Sequence, residues 1–506
     1  MTRHHTYDVV VVGGGGSGLA AAIEAASLGR KVVLLEKNDF VGGSTIRSIG
    51  SISASNTPHQ LKLGIKDSPQ DHFEDLGKIS VSKMKDGDVD NLELRRILVH
   101  NVGDTFRWLM SMGLEFLGPN PEPPHRKPRM HNVLPNSKAY GYHLEKRARA
   151  LGVDIRLERR ARRFIIEKER VEGVECETKS GQVEQYVSRG GVILASGDYS
   201  ANPEIRKLFG NPKMTYIRPT NPTNTGDGHE MVMKLGGEVI NGHMMLNRLR
   251  FVAPTRRRLV QMIPPWRFFT RIVNLSMQHL PGWLLRPFLM SFLTTVLGVT
   301  TELAKCGAIM VNKKGERFCD ELGNPVYDLV DQEDQTTYFI FDQDIAKKFS
   351  EFPYFISTAP GVAYAYLDDY RRSRPDMYST APTVEALARK IGADPAALAR
   401  AVKERNASPE VSRDHRFPPL LKAPFYALGP VRNCADITDG GLAIDTEFRV
   451  LRADKRPIEG LYAVGSAGQG GVILEGHGHH LGWAFTSGRL AGRLVAHRAT
   501  SEDLVS

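Results

Sequence analysis

Residues 7–12, YDVVVV, form a β-branched run without charge after Asp8, the pattern of a strand buried on both faces in a parallel sheet. The period then changes. LAAAIEAASLG reads as a helix, and KVVLLE, ending at Glu36, as a second buried strand. Far along the chain, PTVEALARKIGADPAALARAVKERN (382–406) again has helical character. Between these lies an apolar stretch, 272–301, with Arg286 as its only formal charge. A membrane-spanning helix needs about 20 uninterrupted apolar residues, and Pro281-Gly282, Arg286 and Pro287 break the run. Three readings stay open: a buried core segment, an apolar substrate mouth, or a monotopic membrane patch. In the last, Trp266, Phe268, Phe269 and Trp283 would sit beside Arg267, Arg271 and Arg286.

The turn after the first strand reads Gly13-x-Gly15-x-x-Gly18, with Gly16 and Ser17 inside it. In a strand–turn–helix–strand unit, Gly13 permits the tight turn, Gly15 lets a pyrophosphate approach the backbone, and Gly18 allows close helix–strand packing. The helix N-terminus faces the phosphates, and Glu36 is placed to hold ribose hydroxyls. Just beyond Glu36 and Lys37, a second small-residue loop carries Gly42, Gly43, Ser44, Thr45, Ser48 and Gly50, suited to a cofactor extending past its pyrophosphate.

On these residues the chain resembles the FAD-dependent fumarate reductase/succinate dehydrogenase flavoprotein superfamily, which includes the 3-ketosteroid dehydrogenases. The resemblance extends over nearly the whole chain. It runs through LGVDIRLERRARRF (Ala161 at the adenine), GGVILASGDYSAN (Ala195, Ser196, Gly197), TNTGDGHEM (Asp227) and PIEGLYAVGSAGQGG (Gly465, with Ser466 in place of the usual acidic or amide residue). It implies FAD. The histidine through which some members attach FAD covalently is missing after Gly42-Gly43, which implies a noncovalent cofactor. A second GxGxxG at a strand–helix junction is also missing, so electrons are expected to come from or go to a quinone or other external carrier.

The resemblance implies an α/β architecture: a Rossmann-like FAD-binding domain (1–240 and 423–506) interrupted by an α+β substrate-capping domain (241–422). Substrate would lie between cap and flavin, and a cap is the part that hinges.

Composition adds limits. At 506 residues the chain exceeds one compact core. Cys176, Cys306, Cys319 and Cys434 form no CxxC pair, which argues against a zinc ribbon or a disulfide framework and suits a reducing cytoplasm. The N-terminal apolar run is short and ends in glycines, unlike a cleavable signal. Formal charge is +10, with clusters at Arg159–Arg163 and Arg256–Arg258. Without interleaved stacking aromatics, these read as a basic surface rather than a nucleic-acid interface.

The chemistry is expected near GHGHHLGW (476–483). No carboxylate ligand set with metal spacing accompanies His477, His479 and His480, so no metal is assigned. The resemblance implies that Gly478, Leu481 and Gly482 bring backbone donors to substrate and flavin. His477 and His479 would act as acid/base or oxygen anchors, and His480 would contact substrate. Arg248 and Arg250 are candidates to hold an acidic group. Tyr327 is a candidate base or simply a packed ring. Glu302-x-x-Lys305 either parallels a family proton pathway or is an exposed i,i+3 pair. The arginines of the dicarboxylate reductases are missing after RFCDE and from the final loop. The C-terminal pattern follows the ketosteroid branch, although Leu474 stands where that branch has a tyrosine. The expected reaction is therefore removal of two hydrogens from a C–C bond beside a carbonyl in an apolar, cyclic or steroid-like ketone. The alternatives are an enoate or fumarate-type reductase and a membrane-associated flavoprotein electron carrier.

Overall fold

The computed structural model describes residues 3–82, 84–253, 263–281, 284–286, 290, 294, 298–359, 363–407, 410–412 and 415–503. β1 (Arg3–Val12) leads into α1 (Gly16–Ser27) and β2 (Val32–Leu35), as the change of period predicts. β3 (Asp154–Arg156), β4 (Arg159–Glu167), β5 (Arg170–Thr178) and β6 (Val183–Leu194) follow, and β10 (Arg449–Leu451) and β11 (Pro457–Ala463) return near the C-terminus. Together they make an eight-stranded sheet with the order β10-β11-β6-β1-β2-β3 and the β4/β5 hairpin paired to β6. β1 pairs in parallel with both β2 and β6. Val9 to Val12 are consequently buried on both faces, which is why their run carries no polar alternation.

The C-terminal helix α3 (His479–Asp503) lies against α1. Gly488 and Gly492 make this crossing close: a Cβ there would stand 2.3 Å from the carbonyl oxygen of Ser17 and 2.4 Å from that of Ala21. The crossing brings the GHGHHLGW loop onto the glycine turn of β1, although more than 450 residues separate them in the chain.

A second sheet contains β7 (Met245–Phe251), β8 (Thr336–Phe341) and β9 (Phe425–Thr438). β9 pairs antiparallel with both others and also with Tyr378–Ala381, and β8 pairs with Ile309–Val311. It has its own core, with Phe251, Ile309, Phe339, Phe341, Leu428 and Val431 among the buried residues. The first-sheet core stops at Val232 and resumes at Leu442. The residues between belong to the second sheet where they pair, and β9 takes its hydrogen bonds from that sheet up to Thr438.

The apolar stretch divides. α2 (Arg267–His279) ends at Leu280 and Pro281, which are exposed, whereas Met290 and Thr294 are buried. Trp283 and Arg256–Arg258 lie outside the described residues. Among the described residues, no helix is long and apolar enough to cross a membrane. In the other basic cluster, Arg159 pairs with Glu184 at 2.8 Å, Arg160 with Asp227 at 2.7 Å, Arg162 with Glu177 at 2.6 Å, and Arg163 with Glu175.

Candidate active site

A cavity of about 300 Å³ runs from the glycine turn of β1 to the loop before α3, with β7 forming its far wall. At the near end, two glycines do different work. A Cβ on Gly18 would stand 1.9 Å from the carbonyl oxygen of Gly13, so this residue fixes how closely α1 packs on β1. A Cβ on Gly15 would meet nothing within 4 Å, because Gly15 faces the cavity itself. The backbone there is a cradle left for a ligand at a helix N-terminus. The Gly14 N–H donates to Glu36 Oε2 at 2.7 Å, and the Asn38 N–H to Glu36 Oε1 at 2.9 Å, which fixes the carboxylate at the end of β2. Thr45 Oγ1 accepts from the Gly16 N–H at 3.1 Å. Lys37 binds Asp227 at 2.8 Å. Burial would raise the Asp227 carboxyl, but Lys37 and Arg160 bring it below its ordinary range. Ser196 Oγ also lines the cavity and is buried without a hydrogen-bond partner. An open backbone cradle at Gly15, the fixed Glu36 carboxylate and the unpartnered Ser196 hydroxyl fit an extended dinucleotide.

Of the cofactor residues expected from sequence, Gly18, Gly42, Gly465 and Gly482 do not line the cavity, and the rest do. These four shape its wall. The Gly42 N–H bonds to the Gly14 carbonyl at 2.8 Å, and a Cβ on Gly465 would stand 2.6 Å from Ser17 Oγ. The Gly482 N–H donates to the Gly478 carbonyl at 2.9 Å, starting α3.

At the inner end, the loop histidines separate. His480 lines the cavity, and its Nε2 lies 2.7 Å from Asp439 Oδ1. Gln469 Nε2 donates to the same oxygen at 2.7 Å. Burial alone would raise the Asp439 carboxyl, yet the His480 charge and these hydrogen bonds hold it below its ordinary range. His477 also lines the cavity, and its Nδ1 and backbone N–H both reach Glu122 Oε1, at 2.5 and 2.9 Å. Its carbonyl accepts from Ser53 Oγ at 2.7 Å.

His479 does not face the cavity. It is fully buried, its Nδ1 is 3.0 Å from the Glu475 carbonyl, and its Nε2 is 3.5 Å from Nε2 of His72. His125 packs on its other side. Burial, followed by the neighbouring His125, pushes its pKa down to about 3, so it stays neutral and is corrected from acid/base to packing. The reason is helical phase: consecutive residues in the first turn of α3 point about 100° apart, so His480 and His479 cannot share a face.

On β7, the period of two sends Leu246, Arg248 and Arg250 to the cavity. Arg250 pairs with Asp436 at 2.8 Å, and Thr220 Oγ1 donates to the same carboxylate at 2.6 Å. Arg248 has no carboxylate partner among the described residues. Tyr327 stands outside the cavity, and its hydroxyl accepts from Asn247 Nδ2 at 3.4 Å. Asn247 belongs to the opposite face of β7, so the tyrosine is corrected to a packing residue. Glu302 pairs with Lys305 at 2.7 Å on the surface and does not line the cavity, the exposed-pair alternative.

The pattern missed Glu122, Asp439 and Asp436. Asp439 sits inside Thr438-Asp439-Gly440-Gly441, where its acid has the look of an ordinary turn residue. Glu122 lies between prolines, 355 residues from its histidine partner, and nothing local marks it.

The family model described as the FAD binding domain matches residues 8–250 and 276–475. The chain belongs to this family. It is accordingly an FAD-dependent oxidoreductase. It is 28% identical over 514 residues to a fumarate reductase (cytochrome) of Shewanella frigidimarina, spanning 97% of this chain and 77% of that protein. It is 24% identical over 510 residues to an NADH:fumarate oxidoreductase of Klebsiella pneumoniae, spanning 98% of this chain. The chain covers 48% of that relative, about half its length. Among solved structures, the open conformation of a flavocytochrome c3 fumarate reductase is similar with a TM-score of 0.73 and 25% identity, over 98% of this chain and 79% of that one. A 3-ketosteroid delta1-dehydrogenase from Sterolibacterium denitrificans shares the fold, with a TM-score of 0.65 and 22% identity over 98% of this chain and all of that one.

Proposed function

We propose that this protein transfers two hydrogens across a C–C bond adjacent to a carboxylate or carbonyl, using noncovalently held FAD. The observation that carries this reading is that one cavity is lined both by a guanidinium with no carboxylate partner among the described residues (Arg248) and by an imidazole held to a carboxylate (His480–Asp439). FAD supplies hydride chemistry when bound. Arg248 would grip the substrate oxygen and polarise the neighbouring bond. His480, with Nε2 committed to Asp439, exchanges the proton through Nδ1. Glu122 takes both the ring and the backbone N–H of His477, a clamp that holds the loop and makes His477 an oxygen anchor. The segment 44–58 after Gly42-Gly43 holds no histidine to attach a flavin covalently, in keeping with noncovalent binding.

The lead direction is reduction of an enoate or enone fed by an external electron carrier. Arg248 suits an anionic substrate, and a relative spanning 97% of this chain and 77% of its own is named a fumarate reductase. Desaturation of an apolar ketone is the second reading, favoured by Ile49, Leu246, Ile437 and Leu481 on the cavity wall.

Anaerobic titration separates the two. Enoates should reoxidise chemically reduced flavin, whereas a saturated ketone bleaching the oxidised flavin would favour the second. Arg248→Ala should raise KM for the reoxidising enoate at least about tenfold, as expected for loss of a charge-assisted contact. If no enoate, enone or ketone perturbs the flavin, the reading falls.

A further inference from the structure

The segment 251–301 carries six arginines and no aspartate or glutamate. Its described helix, α2, is 13 residues long, and one of its faces has no cover. Phe268, Ile272 and Leu275 recur at i, i+4 and i+7 and are 69, 46 and 57% exposed. Trp266 extends this stripe before the helix, and Leu280 and Leu284 extend it after, all three exposed. The opposite side is anchored to the protein. Thr270 is buried, Asn274 Nδ2 donates to Glu115 at 3.1 Å, and Arg267 packs over Gly113. None of these residues lines the cavity, so the stripe is not its mouth.

We infer that α2 is a membrane-docking helix that lays its Phe268–Ile272–Leu275 stripe into the surface of an anionic phospholipid bilayer. At 13 residues α2 is about 20 Å long, too short to span but suited to lie in the interfacial plane. The charge favours anionic lipid. Arg271, 73% exposed and 4.0 Å from Glu115, stands beside the stripe, in a stretch of sequence that carries no acid. Of its other described arginines, Arg286 is neutralised by Asp369 at 2.5 Å and Arg267 packs over Gly113, which leaves Arg271 as the described cation beside the stripe. Trp266 sits at the end of the helix, where an aromatic ring anchors at the headgroups.

The test is co-sedimentation of the FAD-loaded protein with phosphatidylcholine vesicles, alone or with about a third phosphatidylglycerol. The protein should pellet with the anionic vesicles, and at least about tenfold less with neutral ones or in high salt, which screens the arginines. Joint Phe268→Ser, Ile272→Ser and Leu275→Ser should lower partitioning at least about tenfold while the flavin spectrum and Tm are kept. Should that variant not fold, Arg271→Glu decides, with an expected loss of roughly threefold on anionic vesicles only. Protein that stays in the supernatant, or variants that pellet like the parent, would overturn the assignment. So would a two-copy species in light scattering that the triple variant dissolves, since the stripe would then be a subunit interface.

Discussion

His480 and His479 are neighbours in the chain with opposite electrostatic surroundings. His480 faces Asp439 and the cavity. His479 is fully buried against the imidazoles of His72 and His125, and burial keeps it neutral. Their substitutions should therefore diverge. His480→Ala should keep FAD and lower kcat by roughly 10²- to 10⁴-fold, the usual worth of a general acid/base. Asp439→Asn should lower kcat less and displace its pH profile, since it removes the charge that holds the ring but not the ring. A His480→Ala variant with full activity on the identified substrate would transfer the proton to His477. The type of these residues was legible in the sequence. Their division of labour was not, because it depends on helical phase at the start of α3 and on carboxylates arriving from residues 122 and 439.

Among elements, the β1–α1 unit was read correctly from its change of period, since buried parallel strands and the glycine turn are locally encoded. Its two key glycines should separate folding from binding. Gly18→Ala puts a methyl against the Gly13 carbonyl and should cost about 2 kcal/mol or more as α1 is pushed off the sheet, visible as a lowered Tm even without flavin. Gly15→Val enters open cavity. It should leave the Tm of the apoprotein nearly unchanged and weaken FAD at least about tenfold, measured by flavin fluorescence on titration. Equal loss of stability in both would refute the division. β9 shows where element reading stopped. Its place in the chain is with the returning FAD-binding segment expected from 423, but its hydrogen bonds belong to the second sheet, and pairing partners 85 to 193 residues away are not written in a local pattern.

For the whole molecule, His72, His125 and His479 form a buried junction between the helix Pro69–Val81, the segment before Met130 and α3. Asp75, Lys78, Arg129 and Glu122 surround it. Burial first, and then Arg129, lowers His125 from 6.5 to about 4, and burial first lowers His479 to about 3. The unfolded chain thus takes up these protons before the folded one does. Stability is complete above about pH 6.5 and is lost as pH falls towards 4, by about 1.4 kcal/mol per pH unit for each such group. The Tm of the holoprotein should drop steeply between about pH 6.5 and 5, and His125→Gln should make that slope shallower. A flat Tm across this window would mean that the junction is hydrated.

The sequence by itself determined the cofactor end of this protein. A β-branched run, a glycine turn and an acid two elements later need only local geometry to become a dinucleotide site, and their spacing carries that geometry. Tertiary structure alone decided the substrate end. Which histidine faces the cavity, and which arginine has no carboxylate partner among the described residues, follow from the α1–α3 crossing and the phase of β7. Those place side chains hundreds of residues apart within hydrogen-bond distance, and contacts made across a packed interface leave no periodic trace in the chain.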